Sequence, residues 1–281
     1  MTKSCSQEAF EALVTLEKLS FERATREAIE RVLLESLPRE ATLTPASSDA
    51  YPSELLILPE HPPVLVSAGD LSLAERQFRL AVVGSRDASE AEKETAYRVA
   101  RDLAARGCVI VSGLAAGIDA AAHSGALAAE APDGGPGKTI AVMGTPLSAP
   151  WPPANAKLAA AVAARGLLLS ICPQVSGLSF TDEERAASLR ARNRFVAALA
   201  CGSLVVTAKA GSSTLIEAAA SLKLGRPVLI WHTNVDRGEP WAKTLLEEDL
   251  RDEAGNPLVY VVSSAEEIEA AVSPWLNVWW L

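Results

Sequence analysis

Three loops in the sequence combine small residues with groups that bind anions. Gly84-Ser85-Arg86 follows an apolar run, and Arg86 offers a forked donor suited to phosphate oxygens. Gly113 and Gly117 stand just before a predicted helix, whose free N–H groups form a site for an anion. Lys209 precedes small hydroxyl residues at another predicted helix start, which again favours phosphate or nucleotide binding. Each loop also has a structural interpretation, as a tight turn or as close helix–strand packing.

The second loop carries two further polar side chains. Asp119 stands where it can cap the helix that follows, and His123 lies one turn further on. No neighbouring cysteine, serine or acid makes His123 a member of a catalytic triad. A structural hydrogen bond is therefore the other interpretation of His123.

Residues 189–194 place three arginines within an otherwise acidic chain. On a helix, Arg190 and Arg194 share one face while Arg192 points elsewhere. The cluster is interpreted either as a solvated helix face or as an anion-binding patch. In either case one arginine can be buried and paired with an acid, for instance Asp119.

The elements that position these loops are short apolar strands alternating with helices from residue 80 onward. Continuous apolar strands of this kind predict a parallel sheet with helices on both faces. Ligands of such sheets collect at the carboxyl ends of the strands, where these loops lie. The predicted strands are residues 80–83, 108–111, 139–143, 167–169, 204–206, 228–230 and 258–262. The predicted helices follow Ser89-x-x-Glu92, span residues 120–129, 154–164, 189–200, 213–224 and 241–250, and follow Ser264-x-x-Glu267.

The two ends of the chain differ from this pattern. Residues 6–37 predict two short amphipathic helices, and a Pro/Ser-rich connector follows. We expect a small N-terminal helical element over residues 1–50 and an α/β domain over 51–281, with an atypical tail from about residue 232. The tail ends in an apolar stretch containing Trp275, Trp279 and Trp280, which we expect to pack on the protein's own sheet.

Composition limits the classes of function. The net charge is −9, so any nucleic acid must be held by a local basic patch rather than by the whole surface. No apolar run approaches the roughly 20 residues of a membrane helix, and the N-terminus is not that of a signal peptide. Four scattered cysteines (Cys5, Cys108, Cys172 and Cys201) predict neither a disulfide framework nor a structural zinc. The expected compartment is the cytoplasm.

Taken in order, the loops resemble the DprA/Smf family (DNA-processing protein A) from about Tyr51 to Trp231. The likeness is carried by AVVGSR, VSGLAAGIDAAAHSGAL, TIAVMG, Trp151-Pro152-x-x-Asn155, RARNRFVAALA and SSTLIEAA. It implies a Rossmann-like fold that binds single-stranded DNA, catalyses no reaction and needs no cofactor. It also implies a homodimer that helps to load a RecA-type recombinase during natural transformation, with no membrane partner.

The resemblance also implies site residues. In the family, the arginine of the G-S-R loop and nearby basic residues contact the strand, which corresponds here to Arg86, with the glycine loop and Arg192–Arg194 shaping the pocket. The predicted nucleic-acid-binding residues are Gly84, Ser85, Arg86, Ser112, Gly113, Gly117, Asp119, His123, Asn155, Arg192, Asn193, Arg194, Lys209, Ser212, Ser213 and Thr214.

The chain departs from the family pattern in the same pocket. Residues 144–148 replace a Gly-x-Gly-Leu-Asp loop, Thr207-Ala208 replaces Glu-Ala, and Glu217 stands where a threonine is usual. Two alternatives therefore stay open. One is a nucleotide-binding or nucleotide-hydrolysing enzyme related to the phosphoribohydrolases, since residues 211–214 with Glu217 resemble that arrangement. The other is a scaffold that acts through its apolar tail.

Overall fold

The computed structural model describes residues 41–172 and 181–276. The predicted N-terminal helices at residues 6–37 lie outside the described residues, as do Cys5, Trp279 and Trp280.

The strands form one sheet. They are β1 (Ala41–Pro45), β2 (Val64–Gly69), β3 (Arg79–Gly84), β4 (Val109–Ser112), β5 (Thr139–Met143), β6 (Leu167–Ser170), β7 (Ser203–Thr207), β8 (Val228–Trp231) and β9 (Val259–Val262). Within the described residues the sheet has nine strands in the order β1-β2-β6-β5-β4-β3-β7-β8-β9. Pairing is parallel from β6 to β9 and antiparallel for β1 with β2 and for β2 with β6.

Helices cover both faces of this sheet. They are α1 (Ser53–Leu56), α2 (Glu90–Ala104), α3 (Ile118–Ala128), α4 (Ala156–Arg165), α5 (Asp182–Ala198), α6 (Ser213–Lys223), α7 (His232–Asp236), α8 (Pro240–Glu247) and α9 (Ala265–Leu276). Two short 3₁₀ helices span Leu71–Glu75 and Pro153–Asn155. The predicted Rossmann-like α/β fold is confirmed, and each strand predicted from residue 80 onward overlaps one of the strands β3 to β9.

The core has two sides because side chains alternate along each strand. On β3, Ala81 and Val83 pack in a cluster with Phe195 and Val196 of α5. Leu80 and Val82 face the opposite side, in a cluster with residues of α2, α3 and α9. The strands from β3 to β8 are therefore buried almost throughout, as their unbroken apolar sequences predict.

The edge formed by β1 and β2 differs from the sequence prediction. Residues 42–63 were expected to be a connector, but Ala41–Pro45 pairs with β2, and Thr44 lies opposite Leu65. The sheet therefore begins before the predicted boundary near residue 50. Pro45 ends β1, and proline is common only on edge strands such as this one. This pairing depends on contacts with β6 that are distant in sequence, so local patterns do not reveal it.

The helix that carries the arginine cluster is longer than predicted. Helix α5 begins at Asp182 rather than near residue 189, because Thr181 and Glu184 form a capping box. Its C-terminal end is held by two buried arginines. Arg79 Nε donates to Leu199 O at 2.6 Å, and Arg226 Nη1 donates to Ala200 O at 2.8 Å. These bonds fix the C-terminal end of α5 against the amino ends of the strands.

The tail is part of the fold as far as it is described. Trp275 is 5% exposed, and its Nε1 donates to Gly225 O at 2.8 Å. For Trp275, this agrees with the expectation that it packs on the protein itself. Across residues 41–172 and 181–276, no helix combines the length and apolarity needed to cross a membrane.

The strand order contains a topological switch point. From β3 the chain proceeds through β4, β5 and β6 on one side, and through β7, β8 and β9 on the other. The loops that leave β3 and β7 therefore diverge, and a crevice opens at the carboxyl ends of these two strands.

Candidate functional site

The loop that follows β3 packs directly on the start of α3. Gly117 has a φ of +79°, and a Cβ placed there would lie 2.3 Å from the carbonyl oxygen of Ser85. The N–H of Ile118 donates to the same oxygen at 3.3 Å. Glycine is thus required at residue 117 for both conformation and space. The contact brings the predicted loops Gly84–Arg86 and Gly113–Gly117 together.

Arg86 projects from this fixed loop into solvent. The N–H of Ser85 donates to Thr207 O at 3.0 Å, and the Ser85 hydroxyl accepts from the N–H of Asp87 at 3.2 Å. The side chain of Arg86 is exposed, and it makes no hydrogen bond or ion pair with the part of the chain that is described. Its guanidinium is therefore available to an external anion.

Arg192 is the buried member of the arginine cluster. It is 5% exposed, and its Nη1 lies 3.7 Å from Asp119 Oδ2. A Cβ on Gly113 would lie 0.9 Å from that same Nη1, so the guanidinium occupies the space beside Gly113. Burial lowers the pKa of Arg192, while Asp119 and Glu217 oppose that shift. The structure therefore agrees with the interpretation in which one arginine of the cluster is buried and paired with Asp119.

Two buried carboxyl groups share this one guanidinium. Asp119 is 6% exposed, and burial raises its pKa while Arg192 and the N–H of Ala115 act in the opposite direction. Glu217 is 2% exposed and accepts a hydrogen bond from the Ser203 hydroxyl at 3.0 Å. Burial, followed by the charge of Asp119, raises the pKa of Glu217 to about 8. The raised pKa favours the neutral form of Glu217, and Asp119 is the acid that lies within ion-pair distance of Arg192.

His123 is a buried residue of α3, the helix that follows the Gly113–Gly117 loop. It is fully buried, and its Nδ1 lies 2.7 Å from the Thr139 hydroxyl. That hydroxyl donates to Ile110 O at 2.7 Å, so Nδ1 carries the proton of the neutral imidazole. Burial and the charge of Arg192 lower the pKa of His123 to about 3. His123 is therefore a neutral structural residue that ties α3 to β5.

Asn155 holds the same loop from the other side. Its Nδ2 donates to Leu114 O at 3.0 Å and to Ala115 O at 3.2 Å. Trp151, four residues earlier, is 38% exposed, and the guanidinium carbon of Arg185 lies 4.2 Å from its ring centroid. The sequence identified this tryptophan only as part of a motif, yet it presents an aromatic face beside the loop.

The remaining predicted residues divide into two groups. Asn193 Nδ2 donates to Ser213 O at 2.9 Å, which joins α5 to the start of α6. Ser212 precedes α6, Thr214 is buried in its first turn, and Lys209 is exposed in the loop after β7. Arg194 is directed elsewhere, because its Nε lies 2.6 Å from Glu60 Oε1. It is the one predicted residue whose ion pair leads away from the loops.

Most of the predicted residues therefore lie toward the carboxyl ends of the strands, but at different depths. Ser112, Asp119, His123, Arg192 and Thr214 are buried beneath the surface. Arg86 and Lys209 are exposed cations on the surface above them. Whether each of these residues contacts nucleic acid stays a prediction.

A further polar cluster at the carboxyl ends of the strands, around Glu92, was not predicted. Glu92 Oε1 accepts hydrogen bonds from the Thr207 hydroxyl and from Arg237 Nη1, each at 2.7 Å. Burial alone would raise the pKa of Glu92, but bonds from Arg237, Thr207 and Ser89 hold it at about 2. The sequence marked Glu92 as a capping residue, whereas Arg237 is 145 positions away, so no local pattern links the two.

Comparison with known proteins identifies the family. The profile described as DNA recombination-mediator protein A matches residues 42–248. The chain belongs to this family. The predicted DprA/Smf membership is confirmed, and the matched region begins inside β1 rather than at Tyr51.

Individual relatives support the assignment. Protein Smf of Synechocystis sp. is 39% identical over 189 residues, which are 66% of this chain and 44% of that protein. The chain thus spans less than half the length of that relative. DNA processing protein A of Streptococcus pneumoniae has a TM-score of 0.69 at 28% identity, covering 95% of this chain and 90% of that one. The Helicobacter pylori protein, described for its single-stranded DNA binding mode, has a TM-score of 0.58 at 25% identity, covering 74% and 97%.

Proposed function

We propose that this protein binds single-stranded DNA at the carboxyl ends of β3, β4 and β7, and that it acts in DNA uptake or recombination without catalysing a reaction. The proposal is supported by family membership and by the single-stranded DNA binding described for the H. pylori relative. A strand bound in this way is held by phosphate contacts and by stacking of its bases.

The observation that carries the proposal is the state of Arg86. Arg192 is buried against Asp119 and Arg194 is paired with Glu60. Arg86 is exposed and unpaired within the described residues, on a loop fixed by its contact with Gly117. A guanidinium carried by this fixed backbone at the start of α3 is suited to a phosphate, since helix N-termini and arginine forks favour the same anion.

The buried carboxyl groups of Asp119 and Glu217 do not neutralise the charge of Arg86. The charge of Asp119 is offset by Arg192, and burial raises the pKa of Glu217 to about 8, which favours its neutral form. Arg86 and Lys209 are exposed cations beside the loops, next to the exposed carboxylate of Asp87. A local patch of this kind reconciles nucleic-acid binding with a net charge of −9.

The test is titration of a labelled oligo-dT by fluorescence anisotropy at several salt concentrations. Arg86→Ala is expected to weaken binding and to lower the slope of log K against log salt by about 0.7, the value for one phosphate contact on a single strand. Arg76→Ala is the matched control, because Arg76 is also exposed but lies before the amino end of β3, away from the carboxyl ends of the strands. Equal affinity and slope for Arg86→Ala and wild type would reject the proposal.

We further propose that the protein forms homodimers and delivers the bound strand to a RecA-type recombinase. This rests on the family, whose described activity is recombination mediation. Light scattering of the purified protein tests the dimer: a monomer mass at micromolar concentration contradicts it. Recombinase filament formation on strands coated with single-strand-binding protein tests delivery.

The nucleotide-hydrolysing alternative gains no support from the site. It requires a carboxylate that reaches a substrate in the loop before α6. Glu217 is 2% exposed and is directed to Ser203 within the core.

A further inference from the structure

Arg237 is held rigidly near the carboxyl end of β7, although it is not part of the predicted site. Its Nη1 donates to Glu92 Oε1 at 2.7 Å, its Nε to Thr233 O at 3.0 Å, and its Nη2 to Thr233 Oγ1 at 3.1 Å. A guanidinium has five N–H donors, so two remain without a partner among the described residues. The side chain is 46% exposed, and these donors are accessible to solvent.

The segment that carries Arg237 is fastened to the end of β7 on both sides. Asn234, which is fully buried, donates from Nδ2 to Val206 O at 3.0 Å. Trp241 donates from Nε1 to Ala208 O at 3.0 Å. Arg237 lies between these two attachments in the chain, so its backbone is fixed relative to the strand that borders the crevice.

Thr207 connects this segment to the Arg86 loop. Its carbonyl oxygen accepts from the N–H of Ser85 at 3.0 Å, and its hydroxyl donates to Glu92 at 2.7 Å. The Arg86 loop and Arg237 therefore lie on either side of Thr207, at the divergence of β3 and β7.

The carboxylate of Glu92 does not make Arg237 unsuitable for an anion. Its Oε2 accepts from the N–H and the hydroxyl of Ser89, each at 2.8 Å, while Oε1 accepts from Thr207 and Arg237. All four bonds are internal, and the partial positive charge at the start of α2 offsets part of the carboxylate charge. The side chain of Glu92 is 18% exposed against 46% for Arg237, so the surface presents the cation.

We propose that Arg237 binds a second phosphate of the same strand, which crosses the ends of β3 and β7 from Arg86 to Arg237. This inference rests on the proposed single-stranded DNA binding, and it defines the path of the strand across the switch point. Glu92 and Thr233 orient the guanidinium, and its two remaining donors contact phosphate oxygens.

The experiment measures oligo-dT affinity of wild type, Arg237→Ala, Arg86→Ala and the double variant between 50 and 200 mM salt. If counterion release supplies the whole contact, a slope contribution of about 0.7 makes Arg237→Ala roughly eightfold weaker at 50 mM salt and about threefold weaker at 200 mM. The double variant is expected to lose about 1.4 in slope. Arg251→Ala is the matched control, because Arg251 is also about half exposed and ion-paired, with Asp249, away from the crevice.

The outcomes separate this inference from the proposed function. If Arg86→Ala weakens binding while Arg237→Ala matches wild type, or if the double variant matches Arg86→Ala, the second contact is rejected and the proposed function stands. If wild type fails to bind oligo-dT, both are rejected. A loss of affinity with an unchanged salt slope and a lowered unfolding temperature would assign Arg237 a purely structural role and also overturn the inference.

Discussion

The guanidinium of Arg192 lies 3.7 Å from the carboxylate of Asp119, in space that is open because residue 113 has no side chain. The pair connects α5 to the loop before α3 beneath the surface that carries Arg86. Since both groups are almost fully buried, each depends on the other for compensation of its lost hydration. The geometry of the exposed loop therefore depends on an ion pair that a bound strand need never touch.

Gly113→Ala should destabilise the protein. The added Cβ would lie 0.9 Å from Arg192 Nη1, so the guanidinium has to move away from Asp119. Overpacking of a filled site costs about 1–3 kcal/mol, which urea denaturation would measure. Gly135→Ala is the control, because the nearest atom to its Cβ is the flexible carboxylate of Asp133 at 3.2 Å. Equal midpoints for the two variants would contradict this account of Gly113.

Arg192→Ala should cost more than the same change at Arg190, an exposed arginine of the same helix. Removal of one partner from a buried ion pair typically costs about 3–5 kcal/mol, because the other charge stays uncompensated. Arg190 is exposed on α5, and its replacement by alanine should change the free energy of unfolding by less than about 0.5 kcal/mol. Chemical denaturation of both variants measures the difference. A loss below about 1 kcal/mol for Arg192→Ala would mean that the pair is not an important stabilising contact.

Much of the fold follows from the sequence. Unbroken apolar runs predicted the strands from β3 to β9, and Ser89 with Glu92 formed the expected capping box at α2. The glycines at residues 113 and 117 were also identified as positions of close approach, which the structure explains by the Arg192 guanidinium and the Ser85 carbonyl oxygen. These features are local, because periodicity, caps and tight turns depend on neighbouring residues.

The features that were missed depend on contacts between distant parts of the chain. The spacing of Arg190, Arg192 and Arg194 fixes their relative directions on α5, but the sequence does not reveal which face of the helix meets the core. The partner Glu60 of Arg194 and the partner Glu92 of Arg237 lie far away in sequence. The pairing of β1 with β2 and β6 has the same origin.

Glu217 should contribute a decline in stability as the pH rises from about 5 to 8. Its folded pKa of about 8 lies above the ordinary value of 4.5, so the folded state binds more protons than the unfolded state between these values. The stabilisation is complete below the unfolded pKa and is lost as the pH rises through the folded pKa, with a slope of at most about 1.4 kcal/mol per pH unit.

Glu217→Gln is the variant that tests this dependence. It keeps the size of the side chain and a hydrogen-bonding oxygen for Ser203, but it cannot ionise. Denaturation at a series of pH values should show a smaller decline than in wild type, with the variant relatively more stable at pH 8 than at pH 5. His123 contributes with the opposite sign below about pH 6.5, because burial lowers its pKa to about 3, but it does so equally in both proteins and therefore cancels in the comparison. Parallel profiles for the two proteins would show that Glu217 ionises at its ordinary pKa.

Trp151 is expected to bind a base of the strand. One face of its indole is covered by Arg185, and the side chain is 38% exposed beside the loop that Asn155 holds. Stacking of a base on an aromatic side chain contributes about 1–3 kcal/mol, so Trp151→Ala should weaken oligo-dT binding by roughly five- to 150-fold, while Trp151→Phe should keep most of the affinity.

The salt dependence distinguishes this contact from those of the arginines. Because Trp151 releases no counterion, Trp151→Ala should leave the slope of log K against log salt unchanged, whereas Arg86→Ala lowers it. Val261→Ala is the control, since Val261 is a similarly exposed apolar residue on the edge strand β9, at 43% exposure. If Trp151→Ala and Val261→Ala bind equally well, the indole does not stack on the strand. A reduced slope for Trp151→Ala would instead show that the indole acts by orienting the guanidinium of Arg185 toward a phosphate.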